Sequence, residues 1–155
     1  MTTTGDEIQI VTFRVGTQEF GLNVFQVERI LRYEAPSALP KAPDFLEGVV
    51  QFDRSVVPVI DLRKRLSLPA EQREDTRLMV LDVDGQRVGI IVDQVLDVLR
   101  VDGGAITAPP PIVRGLAAEY ISGLLAQPSR TVVILNAGRL LTSKERLALA
   151  KVGAA

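Results

Sequence analysis

Residues 48–66 read GVVQFDRSVVPVIDLRKRL. Two apolar runs, Val49–Phe52 and Val56–Ile60, are rich in β-branched residues that suit a packed, pleated surface, and Asp53-Arg54-Ser55 turns between them. Ile60 is followed by Asp61, then by Leu62 and Leu66 at helical spacing. The side-chain oxygen of Asp61 is placed to accept from the free amides of a short helical turn. A strand, a cap and a turn are thus compressed into eleven residues.

The same plan returns in VGIIVDQVLDVL (88–99) and TVVILNAGRLL (131–141), where Asp93 and Asn136 stand at the place of Asp61. All three are assigned as helix caps. Three such units in a valine-rich chain predict small, partly closed barrels rather than a sandwich of long strands. Around them, Ile8–Val15 and the alternating Phe20–Val24 form a hairpin across GTQE, and Phe25–Leu31 has a helical period with Val27, Ile30 and Leu31 on one side. Ala35–Phe45, with three prolines, is a loop or extended edge. Arg77–Val83 and Arg87–Val92 pair around Asp84-Gly85, a type I′ dipeptide. A loop holding Gly103-Gly104 and Pro109–Pro111 precedes strands at Tyr120–Leu125 and Thr131–Leu135. A last helix starts at Thr142, with Glu145 completing a capping box.

A chain of 155 residues, 46% hydrophobic, is long enough for one well-packed domain, expected over 8–150 as two intertwined lobes with flexible ends at 1–7 and 152–155. Its net charge of −1 provides no field to draw nucleic acid. The absence of Cys and His removes disulfides, thiolate and imidazole metal ligands, and the commonest nucleophiles and general bases, so no cofactor is expected. The first residues, MTTTGDE, lack the features of a secretory signal, and no apolar run approaches a membrane span. The expectation is a cytoplasmic protein without direct membrane insertion.

Asp61 and Asp93 invite a carboxylate enzyme, which would need both acids in one open cleft. Capping is favoured, because Asn136 occupies the third equivalent place and cannot act as an acid. Arg63-Lys64-Arg65 reads as a solvated helix face. Val27 and Ile30, with Val95 and Val98, belong either to the core or to a partner groove at the edge of two lobes.

These residues resemble a known family. FRVGTQEFGLNV (13–24), Val27 with Ile30, Gly48-Val49-Val50, VPVIDLR (57–63), GIIVD (89–93) with Val95, and YISGL (120–124) are similar, in order and spacing, to the CheW family of chemotaxis coupling proteins. The resemblance covers about residues 8–150. It implies a mainly β fold of two intertwined five-stranded SH3-like β-barrels with a few short helices. It also implies a non-catalytic adaptor that joins the cytoplasmic tips of methyl-accepting chemoreceptors to the regulatory domain of a CheA-type histidine kinase, at membrane-anchored receptor arrays. A coupler for gliding, twitching or gene regulation is the alternative within the family.

By position, Val27, Ile30, Val95 and Val98 correspond to the receptor groove. Arg29, Gly48, Asp53, Arg54 and Ser55 fall in the region used for the kinase and for specificity. The chain departs from the family where Asp53-Arg54 replaces Arg-Gly and Arg29-Ile30 replaces Glu-Ile. That exchange predicts an Arg29–Asp53 salt bridge of reversed polarity.

Overall fold

A computed structural model describes residues 7–108, 120–142, 144, 145 and 148. The described residues form eleven strands: β1 (Glu7–Val15), β2 (Gln18–Asn23), β3 (Val27–Arg32), β4 (Leu46–Phe52), β5 (Ser55–Asp61), β6 (Arg77–Val83), β7 (Gln86–Val92), β8 (Gln94–Asp102), β9 (Ile106–Thr107), β10 (Ile121–Gln127) and β11 (Arg130–Leu135). One α-helical turn, α1 (Leu62–Arg65), follows β5. The strands form a six-stranded sheet, β8-β1-β2-β11-β10-β9, and a five-stranded sheet, β3-β6-β7-β5-β4.

Both sheets curl into barrels. In the six-stranded sheet, β8 and β9 are opposite edges, yet only the 3₁₀ turn Gly103–Ala105 separates them, so the edges are drawn together into barrel 1. In the other sheet the chain leaving β3 bends back, and Ser37 exchanges two 2.9 Å backbone hydrogen bonds with Val49 of β4, closing barrel 2. The expected two-barrel architecture is present, with the two-residue β9 as a sixth strand in barrel 1.

The barrels are intertwined because each half of the chain gives its first hairpin to one barrel and its next strands to the other. The registers repeat: Phe13 faces Phe20 as Leu81 faces Val88, Val95 faces Phe13 as Val27 faces Leu81, and Gly21 faces Ile134 as Gly89 faces Val59. GLNVFQVERILR (21–32) therefore occupies the same place in one half as GIIVDQVLDVLR (89–100) in the other. This duplication differs from the three-unit repeat expected. Only the β5–Asp61 and β11–Asn136 units are equivalent, and Asp93 belongs to a different junction.

Several strands are apolar on both faces because each wall separates two interiors. Val57 and Val59 pack inside barrel 2, whereas Ile60 turns to the seam; Leu78 and Val80 alternate likewise with Met79 and Leu81. Barrel 1 holds Ile10, Leu125, Val132 and Ile134. The largest cluster, with Phe13, Phe20, Leu22, Ile60, Met79, Ile90 and Leu135, lies between the barrels. Burying each such side chain is worth about 1.5–3 kcal/mol, so the seam holds the two barrels as one unit.

A buried cation ties this unit together. Arg63 is 4% exposed. It donates from Nε and Nη2 to Asp61 at 2.9 and 3.0 Å, and from Nη1 to the Glu71 carbonyl at 2.9 Å and to Asp93 Oδ1 at 3.2 Å. Asp93 Oδ2 in turn accepts the Gly16 amide of the β1–β2 turn at 2.7 Å. Arg63 therefore lies inside the protein, contrary to the expected solvated face, while Lys64 is exposed and pairs with Glu47 at 2.9 Å. Arg65 is half-buried, paired with Glu145 at 2.9 Å and stacked on Phe45.

Three further expectations are corrected or confirmed locally. Phe25–Leu31 is not helical: Val24–Gln26 is a 3₁₀ turn capped by Asn23, and β3 follows. Residues 95–98 are strand as well. The Thr142–Glu145 capping box is formed, with reciprocal bonds of 2.9 and 3.1 Å, but most of the helix beyond it, like Pro109–Pro111 and the chain ends, lies outside the described residues.

Gly48 has φ +151°, and a Cβ there would sit 2.4 Å from the Ser37 carbonyl oxygen that closes barrel 2. Gly48→Ala is expected to lower stability by about 2 kcal/mol or more, read from the denaturation midpoint. Arg63→Met leaves two carboxylates without their cation, and a loss of about 3–5 kcal/mol is expected in chemical denaturation. For Glu145, burial acts to raise the carboxyl pKa, but bonds from Thr142 and the Arg65 guanidinium outweigh it and hold it below the ordinary value. A depressed folded-state pKa means stability present above the ordinary glutamate value, about 4.3, and lost as pH falls through the lower folded-state value. The melting-temperature gap between wild type and Glu145→Gln should therefore shrink below pH 4.

Candidate functional site

The exposed apolar side chains are few and fall on β5 and on the segments that follow the crossings between barrels. Phe25 is 89% exposed, Val98 52%, Val56 45% and Ile30 39%. Ile30 and Val98 are equivalents in the duplicated halves, as are Val27 and Val95. Val27 and Val95 are half-buried against the seam cluster, so the four expected groove residues divide into two that pack and two that face solvent.

Their three-residue spacing looks helical but arises from β-bulges. Val27 and Arg29 of β3 face adjacent residues Leu81 and Val80, so Glu28 is an extra residue. The β1–β8 ladder slips in the same place, with Val98 opposite Val11 and Val95 opposite Phe13. One inserted residue puts Val27 and Ile30 on the seam side of β3 and turns Arg29 and Leu31 to the interior side of barrel 2. Ile30 and Val98 thus extend the seam's apolar surface into solvent.

Phe25 was not among the expected site residues. It lines an open depression of about 780 Å³ with Val56, Pro58, Ser55, Arg87 and Gln86. In barrel 1 the parallel ladder between β11 and β2 joins Val132–Ile134 to Glu19–Gly21. In barrel 2 the β5–β7 ladder joins only Val59–Asp61 to Gly89–Ile91, starting two pairs later. Pro58 stands at the place of Val133 and has no amide to donate, so the strands separate before it and the depression opens. The signal for this was Pro58 inside an otherwise interior-like strand.

Asp53 and Arg54 have φ of +50° and +63°, as a two-residue type I′ turn requires, and Ser55 already belongs to β5. The expected Arg29–Asp53 ion pair is not formed. Asp53 pairs with Arg87 at 3.2 Å, and Arg87 also binds Glu28 at 2.6 Å and Ser55 Oγ at 3.0 Å. Arg29 instead lies over the Phe52 ring, 5.5 Å from its centroid, with Arg87 at 5.3 Å from the same ring. The reason is register: β7 places Arg87 next to the turn, and the bulge directs Arg29 onto Phe52. Gly48 is buried where barrel 2 closes, which gives it a structural role.

Of the three assigned caps, Asp61 accepts the Arg63 amide at 3.0 Å and Asn136 accepts the Gly138 amide at 3.0 Å. Asp93 caps no helix. It sits at the bend where the chain passes from β7 to β8, held by Arg63 and Gly16. Asp61 and Asp93 do meet, but on either side of one buried guanidinium, which bonds both and fills the space an enzyme would keep open for substrate.

The profile of the CheW-like domain matches residues 9–145. The chain is 30% identical over 157 residues to "Chemotaxis protein CheW" of Treponema pallidum, covering 98% of this chain and 92% of that one. It is 33% identical over 144 residues to the protein of the same name from Klebsiella aerogenes, covering 92% and 86%. The crystal structure of the scaffolding protein TtCheW from Thermoanaerobacter tengcongensis superposes with a TM-score of 0.81 at 28% identity, covering 89% of this chain and 96% of that one. Two crossed barrels sharing one seam and exposed aliphatic residues at its margins agree with these matches: the chain belongs to the CheW-like family of non-catalytic coupling scaffolds.

Proposed function

We propose that this scaffold joins the cytoplasmic tips of chemoreceptors to the regulatory domain of a CheA-type histidine kinase, at membrane-anchored receptor arrays. The observation that carries this is the pair Ile30 and Val98, equivalent residues that bring apolar surface from the seam into solvent at 39% and 52% exposure. Aliphatic positions on a rigid strand suit the side of a helical receptor tip, because they anchor it with little ordering cost. Among the described residues no helix is long and apolar enough to cross a membrane. Attachment to an array would then come from protein contacts.

On this basis Ile30 and Val98 take the receptor, while Val27 and Val95 hold the strands that present them. Arg29, Asp53, Arg54 and Ser55, around the barrel 2 turn, serve the kinase side. Phe25 and Val56 add an apolar depression next to that turn.

The test is binding of the purified chain to a receptor-tip fragment and, separately, to the cognate kinase regulatory domain. Ile30→Asp and Val98→Asp are each expected to weaken receptor-tip binding about ten-fold or more, since a carboxylate would be desolvated at the contact. Their melting temperatures should stay close to wild type, because both side chains are exposed. A wild-type chain that binds neither partner would exclude the coupling role.

A further inference from the structure

The two barrel mouths are built alike and wired differently. In barrel 1, Arg130 at the start of β11 reaches Glu19 on β2 and Asp97 on β8, donating to Asp97 at 3.1 and 3.2 Å; the Thr12 hydroxyl also bonds Asp97. In barrel 2 the cation stands instead on β7, where Arg87 takes the place of Glu19 and binds Glu28 and Asp53. The place of Asp97 is taken by Arg29. Among the described residues, Arg29 and Arg54 have no carboxylate within ion-pair distance. Beside Arg29 lies a depression of about 660 Å³, with Leu31, Val50, Phe52 and Leu78 as an apolar floor and Glu28, Arg32, Glu34 and Asp53 also lining it.

We infer that the barrel 2 mouth binds an acidic side chain of the kinase regulatory domain, with Arg29 supplying the cation and Phe52 the surface that holds it. The inference rests on the coupling role and names the chemistry of its kinase side. Barrel 1 shows what completes this position: an acid and a base across the bulged strand and the neighbouring hairpin. In barrel 2 the nearby acids Glu28 and Asp53 are held by Arg87, so Arg29 keeps a place for an acid from outside the chain. Stacking on Phe52 holds the Arg29 guanidinium over the mouth before any partner arrives, which reduces the ordering lost on binding. The apolar floor favours a partner acid adjacent to an aliphatic or aromatic side chain.

The choice of the kinase over the receptor follows from the β3 bulge. Ile30 lies on the seam side, taken by the receptor in this scheme, and Arg29 lies on the opposite side of the same strand. A coupler holds both partners at once, so the mouth is left to the second.

Isothermal titration of the full chain with the cognate kinase regulatory domain tests this. Arg29→Glu should weaken binding at least about ten-fold, and Arg29→Lys, which keeps charge but loses planar stacking, should fall between it and wild type. Wild-type affinity should drop as salt rises from about 50 to 300 mM, with a shallower dependence in Arg29→Ala. Reversing one acidic residue of the kinase domain to arginine should restore binding to Arg29→Glu. Unchanged melting temperatures keep the comparison clean. If wild type binds the kinase domain and Arg29→Glu binds it within about two-fold, the inference fails while the coupling role stands. It fails also if Arg29→Glu weakens only the receptor tip. A wild type that binds neither partner counts against the coupling role itself.

Discussion

Arg63 is the constraint on which the relative placement of the two barrels depends. Its guanidinium joins the end of β5, the loop at Glu71 and the bend at Asp93 where the chain changes barrel; Asp93 then holds the β1–β2 turn of the other barrel. Apolar packing at the seam supplies most of the favourable energy but has little directional preference. A buried ion cluster tolerates one geometry, because any other leaves charges without partners in a poor solvent. The seam therefore makes the barrels adhere, and Arg63 fixes how they sit. Ile30 and Val98 can present a defined surface only because that placement is fixed.

The two halves of the chain build similar barrels, and small local differences give them different surfaces. Pro58, standing where Val133 stands, shortens the parallel ladder of barrel 2 and opens the depression beside Phe25. Arg87, standing where Glu19 stands, takes up the acids around the barrel 2 turn and leaves Arg29 on Phe52. In barrel 1, Arg130 joins Glu19 and Asp97 in one ion cluster. The same position therefore carries an ion-paired acid in one barrel and a base stacked on a ring in the other, although their backbones follow the same plan.

The bulges at Glu28 and near Asp97 give strands the apolar spacing of a helix. A bulge inserts one residue and shifts a period of two to a local spacing of three, which is also the spacing of a helix face. Val27 with Ile30, and Val95 with Val98, share a face as their spacing predicts, but on strands rather than helices, and Leu31, expected beside Val27 and Ile30, faces the interior of barrel 2. Asp93 was misassigned for a related reason: the apolar run before it resembles those before Asp61 and Asn136, yet its hydrogen bonds go to Gly16 and Arg63 rather than to a following turn. The repeat that governs the fold is GLNVFQVERILR against GIIVDQVLDVLR.

The sequence by itself determined the class of fold, the hairpins at Asp53-Arg54 and Asp84-Gly85, the caps at Asp61 and Asn136 and the family. These follow from local rules: alternation, turn dihedrals and the reach of a short side chain to its own backbone. Only the tertiary structure decided that Arg63 is buried, that Gly48 closes a barrel, that Asp53 belongs to Arg87 and that Arg29 rests on Phe52. Each of those depends on which strands become neighbours and in what register, and that is set by the crossing of the two halves, through contacts between residues tens of positions apart.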